Sequence, residues 1–195
     1  MNYDDSEARS KLRDWLVAQD FTVFGTLKFT DGSELTDTHG ERTVRAFFSA
    51  LDRAYFGHAV ENVGMRHKRV VFRHTGISNT NLHYHFLAKP HTAPLLYAQL
   101  ASKQWAKMSS WTMGASNTQI ELVRSEEATA TYILHEYGKQ GADCICLSAS
   151  SLQPPSRSAH SYRNLAQLRR LLKLQQNEAD EHWISKAGCV RFVDT

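Results

Sequence analysis

Two histidines one residue apart, His83 and His85, lie inside the apolar run Leu82-His83-Tyr84-His85-Phe86-Leu87. As a strand, this run sets both imidazoles on one face and Leu82, Tyr84 and Phe86 on the other. The first face can offer two nitrogen donors to a divalent metal, while the second holds the strand in a core. A packed or solvated pair has the same spacing, so ligation needs further partners. Upstream, residues 66–74 read as another strand, and the polar stretch 75–81 as the connection that makes the two a hairpin. With His74 opposite His83 the two share a face, and a three-histidine set is complete; a slip of one residue turns His74 away.

A second group with chemical potential lies in residues 125–139, which read as a helix. Ser125 suits the N-cap, Glu126 and Glu127 suit the positive end of the helix dipole, and Gly138 or Gly141 can end it. Ala130, Ile133, Leu134 and Tyr137 then form an apolar stripe, with Tyr132, His135, Glu136 and Lys139 on the opposite side. Tyr137 reads as core. Tyr132, beside a base, an acid and a cation, stands where a nucleophilic phenol would stand, although a boundary tyrosine on a solvated face has the same pattern.

The elements that must position these groups follow in order. An early strand over 21–29 precedes the histidine hairpin; a helix over 94–110, a strand over 118–123, the tyrosine helix and a last strand over 144–147 come after it. A leading amphipathic helix over 4–19 turns Leu12, Trp15 and Leu16 inward. No glycine-rich nucleotide loop interrupts them. Hairpins mixed with helical crossovers indicate an α+β fold, a central antiparallel β-sheet with helices against one face and the other face free for a site.

The 195 residues, 42% hydrophobic, suit one substantial core, and the net charge of +3 places any nucleic-acid affinity in local patches. Arg66, Lys68, Arg69 and Arg73 read as one such patch next to the histidines, with Lys103 and Lys107 as another; solvated faces yield similar runs. Trp105 and Trp111 can stack on bases or fill the core. Cys144 and Cys146, with distant His182 and Cys189, spell either a zinc set or small buried hydrophobes. Three cysteines give no paired framework, which implies a reducing, cytoplasmic setting, and neither a signal peptide nor a bilayer-length apolar run is visible. After Ser148 the composition turns linker-like, followed by a basic, leucine-rich helix over 162–183 with Arg163, Arg169, Arg170 and Lys173.

In this order the motifs resemble the HUH endonucleases, and within them the single-tyrosine rolling-circle replication initiator (Rep) proteins. His83-Tyr84-His85 matches the histidine-hydrophobic-histidine motif, residues 24–29 (Phe-Gly-Thr-Leu-Lys-Phe) look like the first-strand motif, and residues 125–139 are similar to the tyrosine motif. The resemblance spans residues 21–147. It implies a ferredoxin- or RRM-like HUH nuclease domain over 1–150 (1–20 the leading helix), with 151–195 a linker and C-terminal helix packed on it. It further implies Mn²⁺ or Mg²⁺ held by His83, His85 and His74, with Tyr132 as nucleophile assisted by Lys139 and His135; nitrogen ligands equally suit Zn²⁺, Ni²⁺ or Co²⁺, so other transition metals stay open. Contacts to single-stranded DNA at a replication origin or hairpin would come from Lys28, Arg66, Lys68, Arg69 and Arg73. Two positions depart from the family pattern. His135 stands where a lysine is usual, with Lys139 one turn further on, and His74 stands where many members use a carboxylate.

The resemblance implies a 5′-phosphotyrosine link and a free 3′-hydroxyl that primes replication of a plasmid or phage. With no GxxxxGK[ST] loop in the chain, a host helicase and polymerase would act in trans, and no membrane is involved. Since imidazole must be neutral to ligate, activity is expected to fall below about pH 6. A transposase or mobilisation relaxase shares this chemistry, and a non-catalytic single-stranded nucleic-acid-binding module is the reading from another class.

Overall fold

The computed structural model describes residues 3–30, 32–33, 35–108 and 118–152. Trp111, His182, Cys189 and the basic helix expected over 162–183 lie outside them. The described chain runs α1 (Tyr3–Val17), β1 (Val23–Lys28), α2 (Asp37–Phe56), α3 (Ala59–Asn62), β2 (Lys68–His74), β3 (His83–Lys89), α4 (Pro94–Lys107), β4 (Gln119–Leu122), α5 (Glu126–Ile133) and α6 (Tyr137–Gln140), then a 3₁₀ turn at Gly141–Cys144. The four strands form one antiparallel sheet in the order β2-β3-β1-β4.

Strand alternation sorts the core into two layers. Val71, Tyr84, Phe86, Ala88, Val23 and Leu27 pack with Val44, Phe47, Phe48, Leu51 and Tyr55 of α2 and with Tyr97, Leu100 and Trp105 of α4. Val70, Phe72, Leu87 and Phe24 pack with Leu16 of α1 and with Ala130 and Ile133 of α5. Helices therefore cover both faces, and the expectation of one open face is corrected: an amphipathic α1 and the stripe of α5 each need an apolar partner, and the second sheet face supplies it. Trp105 is core, its indole N–H donating to the Lys28 carbonyl at 3.2 Å.

The expected last strand is also corrected. Residues 141–151 instead make the 3₁₀ turn and two isolated bridges along the outer edge of β2, Phe72 with Ile145 and Arg69 with Ser151. Cys144 and Cys146 are buried and unpaired there. No helix among the described residues is long and apolar enough to cross a membrane.

The long helix α2 is the element that sequence reading passed over. Thr36 caps it, accepting from the His39 N–H at 3.3 Å, and Gly57 at φ 57° ends it. Val44, Phe47, Phe48, Leu51 and Tyr55 supply a stripe at helical spacing. Across the sheet, Gly25 of β1 faces Phe86 directly, and a Cβ at Gly25 would overlap the Phe86 ring. Gly25→Ala is therefore expected to destabilise the fold by about 1–3 kcal/mol through overpacking. A thermal melt checks this, and an unchanged melting temperature would show that the ring can move aside.

Candidate metal centre

The hairpin register pairs His74 with His83 and Phe72 with His85, so all three histidines point to the sheet face shared with α1 and α5. One ring nitrogen from each lies within 4.8 Å of the others, and all three side chains are buried.

Each ring is oriented by its second nitrogen. His74 donates Nε2–H to the Ile133 carbonyl at 3.0 Å, and His83 donates Nδ1–H to the Asn81 carbonyl at 2.7 Å. Carbonyls only accept, so in the neutral rings the lone pairs sit on His74 Nδ1 and His83 Nε2. His85 Nδ1 pairs with the Thr26 hydroxyl at 2.9 Å, its direct cross-strand neighbour. That leaves His74 Nδ1 and His85 Nε2 buried without a hydrogen-bond partner. A buried polar atom left unpartnered costs about 1–3 kcal/mol, and a cluster of them with the other ring nitrogens anchored is how metal-binding histidines are built. The donor set fits a divalent cation.

Burial pushes the His85 imidazole well below its ordinary range, lowers His83, and takes His74 down to about 4 against the opposing pull of the Glu136 carboxylate. Burial tends to raise Glu136 itself, but the Thr75 and Gly76 N–H groups at 2.9 and 2.8 Å outweigh it and hold that carboxyl below its usual value. The three imidazoles are therefore uncharged at neutral pH. The expected acid limb moves down accordingly: metal binding should weaken only below the ordinary imidazole value of about 6.5 and be lost by about pH 4, where His74 takes up a proton, readable by calorimetric titration with Mn²⁺. The sign for the metal-free protein is the same. The unfolded chain binds protons below about 6.5 and the folded His74 only near 4, so stability falls as pH drops through that window. The slope is up to about 1.4 kcal/mol per pH unit for each such group. Flat stability from pH 7 to 4.5 would argue against neutral buried imidazoles.

Tyr132 lies on α5, which Ser125 starts by accepting from the Ala128 N–H at 3.3 Å. Its ring stands edge-on to His85 at 5.2 Å and to Phe24 at 5.9 Å, with the side chain 52% exposed. His135 joins the group, its ring 4.5 Å from His74 and 5.3 Å from Tyr132, with Nδ1–H donating to the Tyr132 carbonyl at 2.7 Å.

The single helix expected over 125–139 is corrected. It stops at Ile133 because the Ile133 carbonyl is taken by His74, and Glu136 is drawn off to the backbone of residues 75 and 76. Lys139 falls on the separate turn α6 and donates to the Gly76 carbonyl at 2.6 Å. Tyr137 is only partly buried, packed against the second core layer.

The single basic patch beside the histidines is corrected as well. Of the five expected DNA contacts, Lys28 is the one brought to the site, directly across from His83. Lys68 shares that face at the far end of β2, over the Phe21 ring at 5.4 Å. Alternation sends Arg69 and Arg73 to the other face. Arg69 is buried against Asp52, and Arg73 pairs with Asp37 at 2.6 Å. Arg66 is held by the Val60 and Met65 carbonyls at 2.7 and 2.8 Å.

The fold and site define an α+β protein with a candidate three-histidine metal centre flanked by a tyrosine. Comparison with protein-family models, curated proteins and solved structures returned no match.

Proposed function

We propose that this chain is a metal-dependent, single-tyrosine DNA endonuclease of the HUH type, with a ferredoxin- or RRM-like sheet, that nicks and rejoins single-stranded DNA to initiate rolling-circle replication of a plasmid or phage. The observation that carries this reading is the convergence of three buried, separately anchored imidazoles beside a half-exposed tyrosine. A histidine core serving only stability has no use for a phenol at its mouth.

His74, His83 and His85 are the residues that would hold a divalent metal such as Mn²⁺ or Mg²⁺. When bound, the ion neutralises charge developing on the scissile phosphate. Lys28 adds a second positive charge from β1. Tyr132 Oη attacks phosphorus, the bond from phosphorus to the 3′ oxygen breaks, and the departing oxygen takes up a proton as the phenol gives one up. His135, its ring centre 5.3 Å from that of Tyr132, is the residue proposed to take the phenolic proton as the strand is bound. One phosphodiester is exchanged for another, so the 5′-phosphotyrosyl link can be reversed to rejoin strands. The free 3′-hydroxyl primes a host polymerase, with a host helicase opening the duplex. Transposases and mobilisation relaxases use the same steps, and the choice of replicon lies with the DNA bound rather than with the site.

The test is incubation with a labelled single-stranded DNA pool and Mn²⁺, followed by denaturing electrophoresis. A protein-linked band is expected, lost on chelation and in His85→Ala. Tight binding with no adduct from any pool sequence would instead identify a non-catalytic single-stranded nucleic-acid-binding module.

A further inference from the structure

On the sheet face opposite the histidines, α2 presents Arg42, Arg45, Ala46 and Ser49 at helical spacing along one side. The two short side chains leave a cleft of about 540 Å³ between this helix face and Arg66, Arg69, Ser148 and Ala149. We propose that this cleft is a second nucleic-acid contact, which takes successive phosphates of the DNA strand flanking the site of cleavage. The inference rests on the reading of the chain as a DNA-processing protein and adds to it a remote anchor.

The charges support a phosphate ligand. Asp52 is the carboxylate that neutralises Arg69, at 2.9 Å, and it lies 3.6 Å from the Arg66 Nε. The Val60 and Met65 carbonyls fix the Arg66 guanidinium in place beside the cleft, with about a third of its side chain exposed. Arg42 and Arg45 are exposed and, among the described residues, make no hydrogen bond or ion pair. The neighbouring acid, Glu41, is engaged by the Ser148 hydroxyl at 2.5 Å. Like charges one turn apart repel, and a phosphate between Arg42 and Arg45 would relieve that repulsion. Arginine forks match phosphate oxygens in pairs.

The lining also says what is not read. Its one aromatic, Phe48, is buried beneath the Arg69 guanidinium at 4.6 Å, so no ring is offered for base stacking. Contact is with backbone and independent of sequence. Arg69 and His74 are five residues apart on β2, roughly 17 Å in a strand, and point to opposite faces. The cleft therefore cannot hold the scissile phosphate and needs a longer strand.

The experiment is fluorescence anisotropy of the full chain with a short and a long labelled single-stranded oligonucleotide, in chelator, across a salt series. Arg42→Gln/Arg45→Gln is run beside the parent, with circular dichroism to confirm folding. For the long oligonucleotide the slope of log K against log salt should fall by about 1.4, since each lost single-strand phosphate contact removes about 0.7. The short oligonucleotide should show a smaller change. An unchanged slope on the long oligonucleotide, with the parent still forming adduct in Mn²⁺, overturns the cleft and leaves the nuclease reading standing. A reduced slope with no adduct from the parent keeps the cleft and overturns the nuclease.

Discussion

Tyr132→Phe is expected to bind single-stranded DNA as the parent does and to form no covalent adduct, a loss of at least about a thousandfold in nicking. The structure makes this a clean separation. The phenol is half exposed and its hydroxyl makes no hydrogen bond among the described residues, so removing it leaves no buried partner unsatisfied. Phenylalanine keeps the edge contacts to His85 and Phe24. Stability should then change by no more than a few tenths of a kcal/mol, as for most surface substitutions. The measurement is the denaturing-gel adduct assay, with thermal melts to confirm the fold. Adduct that survives Tyr132→Phe and disappears in Tyr137→Phe would move the nucleophile to the partly buried neighbour.

Much of this site was legible because strand parity is rigid. From His83 and His85 on one strand, the opposite placement of Leu82, Tyr84 and Phe86 follows, and all three are buried on the α2 and α4 side. The same parity was available for the basic residues. Lys68, Val70, Phe72 and His74 must share a face, which puts Arg69 and Arg73 on the other, so one patch beside the three histidines is not compatible with a regular β2. The apolar stripe of α2 is equally readable from its spacing.

The break after Ile133 was not legible. It depends on His74, a residue 59 positions earlier, taking the Ile133 carbonyl, and on Glu136 reaching the turn before β3. Local propensity over 125–139 favours one continuous helix, and long-range hydrogen bonds override it. The same break puts Lys139 on a separate turn, engaged at the Gly76 carbonyl, and leaves the His135 ring next to that of Tyr132.

The largest expected effect on stability comes from a residue remote from the chemistry. Asp52 of α2 is fully buried; it accepts from Arg69 Nη1 at 2.9 and 3.0 Å and from the His67 N–H at 3.0 Å. Burial raises its carboxyl above the ordinary range even though the Arg69 charge pulls it down. Asp52→Ala would leave the Arg69 guanidinium buried with only the Ala149 and His67 carbonyls, at 2.9 and 3.2 Å. Breaking a buried pair by deleting one member costs about 3–5 kcal/mol, because an uncompensated charge remains. Removing both charges with apolar residues of similar size is often neutral, so Asp52→Leu/Arg69→Met should recover most of the loss. Denaturant unfolding of the single and double variants checks this; a single variant that costs under about 1 kcal/mol would mean that water reaches Arg69. The site depends on the outcome. Arg69 is the second residue of β2, and its pairing to α2 and to the edge at Ser151 fixes the strand whose other end sets His74 against His83. Where Asp52→Ala loosens that anchor, Mn²⁺ affinity should fall with stability and return in the double variant, since the register that closes the three-histidine cluster needs a pinned strand rather than the charges themselves.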